Sequence, residues 1–484
     1  MMRTIDVESV AISPHHYING RRVASAEKIE LRTPITNTAI GEIDKANSKT
    51  VDQAVVAANG AFPAWAALGP EGRQPILHRY ADLIKSHIDD FAIVESTDTG
   101  NLRKAVKGRV GPRAAQNISF FADWALKMVG HTAEGGKNND LIRYDPSGVS
   151  VLITPFNAPL MLTSWKIGPA LAAGNTVVVK PPDLAPMSCS LLMDLADQAG
   201  IPAGVINLIQ GDAETGAALV SHPDVARISF TGSPDAAKAI ARAAAEHLTP
   251  CSFELGGKSP FIVFADADLD LAAAGIVRQY THSGQVCLAG TRILVEEGIS
   301  EALMELVLAK VAALKVGDPR QPETDMGPLI SERQLERVQG FVERAKGDGV
   351  DVIIGGNPHE AGDLYFQPTI VGNVSQYQEI VRNEIFGPVL CWQTFSDEAE
   401  ALALANDTEY GLAGMVFTSD RDRALRMGDA IVAGSVWINS FYVRNLAAPF
   451  GGAKLSGVGR EGGNWSFDFF CDVKTLSINE EAFK

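Results

Sequence analysis

The chain has 484 residues, 46% of them hydrophobic and 21% charged, and this ordinary globular composition excludes a small module and a disordered or fibrous protein. The formal charge is -16, with 42 Lys and Arg against 58 Asp and Glu and no basic run, which disfavours binding to nucleic acid or to an anionic membrane surface. The first residues lack a signal-peptide pattern and the apolar stretches are too short to span a membrane, so we expect a cytoplasmic protein.

Helical patterns come first along the chain, and alternating strands and helices follow. Apolar residues recur at helical spacing over residues 48–93 and 110–127, which predicts a mainly helical N-terminal region. Over residues 148–233, short β-branched runs such as NTVVV alternate with helical stretches, and a second alternating block begins near Lys258. Such alternation is typical of βαβ units, so the sequence predicts an α/β protein with two domains built on parallel sheets.

Two further segments look like strands that belong to neither block. They are residues 127–146 and the apolar tail of residues 466–484, in which the run from Phe467 to Leu476 is strand-like. An exposed apolar strand edge normally finds a partner, so this tail predicts a homo-oligomer, either a dimer or a tetramer.

The cysteines are sparse and form no CxxC motif, so we expect neither a disulfide framework nor a metal site. Cys287 differs from the others because Gly and other small residues flank it in HSGQVCLAG, which would let a substrate reach the sulfur. Backbone N–H groups at a helix start would also favour its thiolate. The remaining cysteines have apolar neighbours and are interpreted as structural: Cys189, Cys251, Cys391 and Cys471.

Two polar residues in apolar surroundings could assist such a thiol. Glu254 lies between Phe253 and Leu255, so its carboxyl group could be desolvated and act as a general base, although an exposed Glu on a strand fits the pattern too. Asn157 follows a buried strand in TPFNAP, where its amide could donate to an oxyanion or simply serve the turn.

Two strand ends could bind a nucleotide. The run VARISF ends in Thr231, Gly232 and Ser233 and passes into an Ala-rich helix, whose free N–H groups suit a phosphate, but an ordinary capped turn gives the same pattern. Lys180 and Asp183 follow the strand NTVVV, where they could bind ribose hydroxyls or could be surface residues of a Pro turn.

In chain order, these motifs closely resemble the NAD(P)-dependent aldehyde dehydrogenase superfamily. The matching segments include PFNAP, WKIGPALAAGNTVVVKPPD, FTGS, ELGGKSP, GQVCLAGTR, EIFGPVL and PFGGAKLSGVGREGG, and they extend over nearly the whole chain. The resemblance implies a Rossmann-type cofactor domain in residues 1–126 and 147–253 and an α/β catalytic domain in residues 254–446. It also implies oligomerisation strands in residues 127–146 and 466–484.

By this resemblance Cys287 is the nucleophile, Glu254 is the general base, and Asn157 with the Cys287 backbone N–H forms the oxyanion hole. The implied reaction is NAD-dependent oxidation of an aldehyde to a carboxylate through a thiohemiacetal and a thioester. The alternatives are a CoA-acylating dehydrogenase, which does not need Glu254, a cysteine hydrolase using His282, and a protein without catalytic activity.

The resemblance also implies the residues that contact the cofactor, with NAD favoured over NADP because Asp183 would repel a 2'-phosphate. These residues are Thr154, Pro155, Phe156, Lys166, Lys180, Asp183, Gly211, Phe230, Gly232, Ser233, Leu255, Gly256, Glu384 and Phe386.

Within the superfamily, the segments GPRAAQNISFFADW and YVRNLAAPFGG are similar to enzymes that act on muconic-type semialdehydes. Arg113 would then bind a substrate carboxylate, but Ala447 and Ala448 stand where a second Arg is expected, which leaves a neutral aromatic aldehyde as an alternative. The residues expected at the substrate are Arg113, Asn117, Phe121, Trp165, Val286, Leu288, Phe441, Tyr442 and Phe450.

Overall fold

The computed structural model describes residues 3–128, 130–133, 136 and 138–483. Residues 129, 134, 135 and 137 of the predicted strand segment 127–146, and Lys484 of the predicted segment 466–484, lie outside the described residues. None of the described helices is long and apolar enough to cross a membrane, and the cytoplasmic location stays a prediction.

Short strands precede helices in the first part of the chain. The predicted helices of residues 48–93 and 110–127 are confirmed, and the strands before them were not predicted. Most of these strands have only three residues, too few for an alternating pattern to be recognised. The strands are β1 (Ile5–Val7), β2 (Val10–Ile12), β3 (His16–Ile18), β4 (Arg21–Val23), β5 (Lys28–Thr33) and β6 (Thr38–Asp44). The helices are α1 (Ser48–Ala67), α2 (Gly69–Ser86), α3 (Ile88–Thr99), α4 (Arg103–Ala105) and α5 (Gly111–Ala125), and a π-helical turn spans Val106–Val110.

The next segment builds the first large sheet. Its central strands pair in parallel in the order β13-β12-β9-β10-β11, and β3 and β4 extend the sheet with antiparallel pairing. The strands of this sheet from the segment are β9 (Val149–Ile153), β10 (Thr176–Lys180), β11 (Ile206–Leu208), β12 (Arg227–Gly232) and β13 (Cys251–Leu255). Two strands that precede them, β7 (His131–Ala133) and β8 (Asn139–Pro146), belong to another sheet. The helices are α6 (Pro159–Ala173), α7 (Met187–Gln198), α8 (Ala213–Val220) and α9 (Pro234–Ala245).

A second sheet has the order β16-β17-β18-β15-β14-β20-β21, with all pairs parallel except β16 with β17. Its strands and the neighbouring β19 are β14 (Pro260–Val263), β15 (Arg292–Glu296), β16 (Asp351–Ile354), β17 (Thr369–Gly372), β18 (Val389–Phe395), β19 (Tyr410–Gly411), β20 (Ala413–Phe417) and β21 (Ser435–Ile438). The helices are α10 (Leu269–Val277), α11 (Ser300–Ala312), α12 (Glu332–Gly347), α13 (Glu379–Arg382), α14 (Glu398–Asn406) and α15 (Arg421–Ala430). The predicted α/β architecture with two parallel sheets is confirmed.

The C-terminal segment contains β22 (Ala453–Lys454), β23 (Gly457–Val458), α16 (Gly463–Phe470) and β24 (Cys471–Ile478). Strand β24 pairs with β8, which pairs with β7, so a separate small sheet forms as expected. The prediction that the tail strand starts at Phe467 is wrong, because Phe467 and Phe470 lie in α16. Their helical spacing buries both rings in the core of the first domain, and the strand begins only at Cys471.

The first sheet positions the candidate site. The strands β9, β12 and β13 run parallel, so the segments that follow them leave the sheet at one edge. Asn157 follows β9, Ser233 follows β12, and Glu254 lies at the end of β13. The fold therefore brings residues about 100 positions apart in sequence to one edge.

Candidate active site

A cavity of about 800 Å³ contains the residues predicted to carry the chemistry. Cys287, Glu254 and Asn157 all lie in its wall, although they come from separate segments. Aromatic and aliphatic side chains make up much of the rest of the wall, and a few polar groups converge in it. This composition is typical of a small-molecule site.

Cys287 is half-buried and follows a tight loop after α10. The pKa of its thiol is raised to about 12, mainly by burial and also by the carboxyl groups of Glu384 and Glu254, while the Leu288 backbone N–H opposes the rise. In the free enzyme the sulfur is therefore a thiol at neutral pH, and a base or a bound ligand has to promote the reactive thiolate.

This pKa predicts a steep pH dependence of alkylation at Cys287 in the enzyme without added cofactor. Since the thiolate fraction rises about tenfold per pH unit below the pKa, the iodoacetamide rate constant should rise about tenfold per unit between pH 7 and pH 10. Mass spectrometry of the Cys287 peptide measures the rate at this site alone. A rate constant that stays flat over this range would show that the thiolate already predominates at pH 7.

Glu254 is 5% exposed, and neither carboxylate oxygen has a hydrogen-bond partner in the part of the chain that the structure describes. Burial raises the pKa of this carboxyl group well above its usual range, and the charge of Glu461 raises it further. A carboxyl group without partners that lines a cavity next to a thiol is suited to take a proton from water or from the sulfur. The predicted exposed alternative for Glu254 is wrong.

Glu461 also belongs to the site, although no sequence motif had indicated a role for it. Its carboxylate accepts hydrogen bonds from Lys166 Nζ at 2.7 Å and from Trp165 Nε1, and it lies in the cavity wall. Lys166 also donates to Ser229 Oγ at 2.8 Å. The expectation that Lys166 contacts the cofactor is therefore corrected, because Lys166 is 1% exposed and its ammonium group is used by Glu461 and Ser229.

Asn157 lies beside the loop that carries the thiol. Its Nδ2 donates to the backbone carbonyl of Gln285 at 2.8 Å. Since Gln285 lies two residues before Cys287, this hydrogen bond holds the Asn157 side chain next to the loop with the thiol. An amide nitrogen carries two N–H groups, so a second donor remains for an oxygen atom bound near the sulfur. This arrangement is compatible with the predicted oxyanion hole.

The other end of the cavity contains most of the predicted cofactor contacts. A Cβ atom at Gly256 would lie 1.9 Å from Glu384 Oε2, so only glycine lets this carboxylate enter. Glu384 accepts from the Gly257 N–H at 3.0 Å, and Ser233 caps α9 by accepting from the Ala236 N–H. A carboxylate for ribose hydroxyls and a capped helix start for phosphate fit a nicotinamide dinucleotide. The predicted contacts in this wall are Pro155, Phe156, Gly232, Ser233, Leu255, Gly256, Glu384 and Phe386.

The remaining predicted cofactor residues lie outside the cavity wall and stay predictions. Lys180 ends β10, and its Nζ donates to the Pro181 carbonyl at 3.0 Å. Phe230 lies beneath Gly232, where a Cβ atom would be 2.3 Å from the ring. The others are Thr154, which accepts from Thr163, and Asp183 and Gly211, which follow β10 and β11.

At the substrate end, three of the expected contacts lie outside the cavity wall and stay predictions. Asn117 and Phe121 are fully buried in α5, where Asn117 donates to the Met161 carbonyl and Phe121 packs on Trp165. Arg113 does not line the cavity, because its guanidinium donates to the Arg444 carbonyl at 3.0 Å. The expected residues that do lie in the wall are Trp165, Val286, Leu288, Phe441, Tyr442 and Phe450.

Cavity arginines that the sequence did not single out stack on these aromatic rings. Arg109 lies 4.9 Å from the Tyr442 ring and Arg278 lies 5.8 Å from the Phe441 ring. Arg444 lies over two rings, 4.5 Å from Trp165 and 3.7 Å from Phe450. None of these arginines has an ion-pair partner among the described residues, so their positive charges are available to a ligand.

Comparison with known proteins decides the family. The profile of the Aldehyde dehydrogenase family matches residues 22–476. The chain belongs to this family. It is 40% identical over 481 residues to 2-hydroxymuconic semialdehyde dehydrogenase of Pseudomonas sp. (strain CF600), covering 96% of this chain and 99% of the relative. It is also 37% identical over 466 residues to betaine aldehyde dehydrogenase of Cereibacter sphaeroides, covering 96% of each chain.

The crystal structure of betaine aldehyde dehydrogenase from Staphylococcus aureus in complex with NAD⁺ is similar to this aldehyde dehydrogenase, with a TM-score of 0.94 and 34% identity. The similarity covers 97% of this chain and 95% of that chain. The family, the fold class and the aldehyde dehydrogenase activity predicted from the sequence are confirmed. The predicted nicotinamide cofactor is confirmed by solved relatives that contain NAD⁺.

Proposed function

We propose that this aldehyde dehydrogenase oxidises an aldehyde that also carries a carboxylate, with NAD as the oxidant and water as the final nucleophile. The observation that carries the proposal is the set of arginines stacked on aromatic rings in the cavity that contains Cys287. Guanidinium groups pair bidentately with carboxylates, and the rings beneath them suit a planar or conjugated chain.

The residues act in order along the reaction. The Cys287 thiol releases its proton to water, and the resulting thiolate attacks the aldehyde carbon, while the free N–H of Asn157 with the Cys287 backbone N–H stabilises the oxyanion. The cavity end that contains Ser233 and Glu384 would hold NAD, which would supply the acceptor for the hydride of the aldehyde carbon. Glu254 then takes a proton from water, which cleaves the thioester and releases the carboxylate and the thiol.

The position of Glu254 favours water over CoA as the acceptor of the acyl group. A CoA-acylating enzyme has no need for a buried base beside the sulfur, whereas the Glu254 carboxyl group lies in the same cavity as Cys287 with both oxygens free of partners in the described structure. A cysteine hydrolase using His282 is disfavoured because neither ring nitrogen of His282 hydrogen-bonds to the thiol.

The positive charge of the cavity favours the substrate of one relative over that of the other. Betaine aldehyde carries a quaternary ammonium group, which Arg109, Arg278 and Arg444 would repel, whereas a semialdehyde with a carboxylate would be attracted. The similarity to the 2-hydroxymuconic semialdehyde enzyme supports this assignment. The cofactor preference follows from the same physics, because Asp183 near the buried end of β10 would repel the 2'-phosphate of NADP.

Replacing Arg109 by Met tests the carboxylate proposal. Losing a charge-assisted contact of about 1.5 to 3 kcal/mol should lower kcat/KM for 4-formylbenzoate about tenfold or more relative to benzaldehyde. Lys107→Met is the matched control, since Lys107 pairs with Asp89 at 2.6 Å outside the cavity and its removal changes the net charge equally. An unchanged ratio in Arg109→Met, or an equal change in both variants, would refute carboxylate binding.

We also infer that separate parts of the chain bind the cofactor, carry the thiol and mediate self-association. The first sheet, in residues 1–126 and 147–253, binds the cofactor, and residues 254–446 carry the thiol and its loop. Residues 127–146 and 466–484 form the oligomerisation element, because β24 pairs on one side only among the described residues and Val473 on it is 54% exposed.

Light scattering at micromolar concentration should therefore give the mass of a dimer or a tetramer of this 51.6 kDa chain. Lys474→Pro, on the same strand, should lower the mass, because proline removes an N–H from the strand. A wild-type mass near that of one chain would contradict self-association.

A further inference from the structure

His282 is a buried imidazole at the substrate end of the cavity that the proposed reaction does not use. The residue is 5% exposed and lies in the cavity wall. Neither Nδ1 nor Nε2 has a hydrogen-bond partner among the described residues. Since buried polar side chains are nearly always hydrogen-bonded, an imidazole left unpaired at a ligand cavity indicates that a ligand supplies the partner.

The backbone holds this ring in place at a conformational cost. His282 and Ser283 both have left-handed backbone angles, with φ of 52° and 56°, which residues with side chains adopt rarely. Hydrogen bonds keep the loop in this conformation: Ser283 Oγ donates to the Gly327 carbonyl at 2.6 Å, and the Gln285 N–H donates to the His282 carbonyl at 3.0 Å. The imidazole is therefore presented to the cavity by a rigid loop.

Burial, with a smaller effect of Arg109, determines the protonation state of the ring. Burial and the positive charge of Arg109 lower the pKa of His282 to about 4, so the imidazole is neutral at pH 7. A neutral imidazole offers one N–H donor and one nitrogen acceptor. Next to a carboxylate bound at Arg109, it is thus suited to a hydroxyl group, which can accept from one nitrogen or donate to the other.

We propose that His282 is a specificity-determining residue that hydrogen-bonds a hydroxyl group next to the substrate carboxylate. This inference rests on the proposed function, since it places the carboxylate at Arg109. It assigns His282 to substrate selection and not to proton transfer at Cys287.

Two aldehydes of equal size test the proposal: 4-formyl-2-hydroxybenzoate and 4-formyl-2-methylbenzoate. They differ only in a hydroxyl against a methyl group beside the carboxylate, so the ratio of their kcat/KM values reports the hydrogen bond. We expect a ratio of about ten or more in the wild-type enzyme, falling close to one in His282→Phe, which keeps a ring and removes both nitrogens.

A second variant, His282→Asn, tests whether the effect of His282→Phe comes from a disturbed loop. Asn tolerates left-handed backbone angles, so His282→Asn should keep the loop while its shorter side chain no longer reaches the hydroxyl group, and the ratio should fall as well. NAD binding and the melting temperature of both variants show whether they are folded.

A wild-type ratio near one, or a ratio that survives both substitutions, would overturn the proposal. The carboxylate proposal is tested separately, by the ratio of kcat/KM for 4-formylbenzoate to kcat/KM for benzaldehyde in the wild-type enzyme. Failure of the His282 proposal can therefore be distinguished from failure of carboxylate binding.

Discussion

Replacing Cys287 by Ser is expected to lower aldehyde oxidation by roughly three orders of magnitude or more, because a hydroxyl group does not become an equivalent nucleophile beside Glu254. The growth of NADH absorbance with 4-formylbenzoate measures the loss. NAD binding should remain near normal, since the sulfur lies at the substrate end of the cavity.

Cys251→Ser is the matched control. Cys251 is half-buried at the start of β13 and lies outside the cavity wall, so the same chemical change there should leave turnover close to the wild-type value. Turnover of Cys287→Ser within about tenfold of the wild type would exclude Cys287 as the nucleophile.

Replacing Glu254 by Gln is expected to separate the two halves of the reaction. The amide has nearly the same shape but cannot take a proton from water, so the first turnover should release one equivalent of NADH and the thioester should then accumulate. The steady-state rate should fall by about two to four orders of magnitude. Intact-mass measurement after mixing with NAD and aldehyde detects the acyl group on the protein.

Hydroxylamine provides the control for this variant, because it attacks a thioester without a general base. Its addition should restore turnover in Glu254→Gln and give the hydroxamate as product. A normal steady-state rate without an acyl adduct would show that another group activates water.

The grouping of the candidate catalytic residues could be predicted only through the family resemblance. The patterns around Cys287, Glu254 and Asn157 extend over a few positions and left alternatives open for each residue, whereas the order of the motifs along the chain placed all three in one site. The structure places all three in one cavity wall. Glu461 could not be found in this way, because its partners Lys166 and Trp165 lie about 295 positions earlier in the chain.

The substrate end was predicted less well, and the reason is geometric. Arg109 and Arg113 are four residues apart and would share a face on a regular α-helix. The π-helical turn at Val106–Val110 changes the helical phase before α5, so Arg109 reaches Tyr442 while Arg113 reaches the Arg444 backbone. Nothing in the local sequence marks this turn.

The secondary structure of the C-terminal tail could be predicted only in part. Phe467, Phe469 and Phe470 fit a strand as well as a helix, because a short apolar run carries no clear period. Packing decides the outcome, since Phe467 and Phe470 enter the core beside α5 and α6 only when the segment is helical. The strand that follows was predicted from the strand-like pattern of the tail, and Cys471–Ile478 pairs along its whole length with β8.

The most direct test of the account is the stoichiometry of one reaction in ¹⁸O-labelled water. Purified enzyme, NAD and 4-formylbenzoate, without CoA, should yield one NADH for each terephthalate formed, and each terephthalate should carry one oxygen atom from water. NADH formation that requires CoA, or turnover of the aldehyde without NADH, would contradict hydrolytic oxidation through the Cys287 thioester.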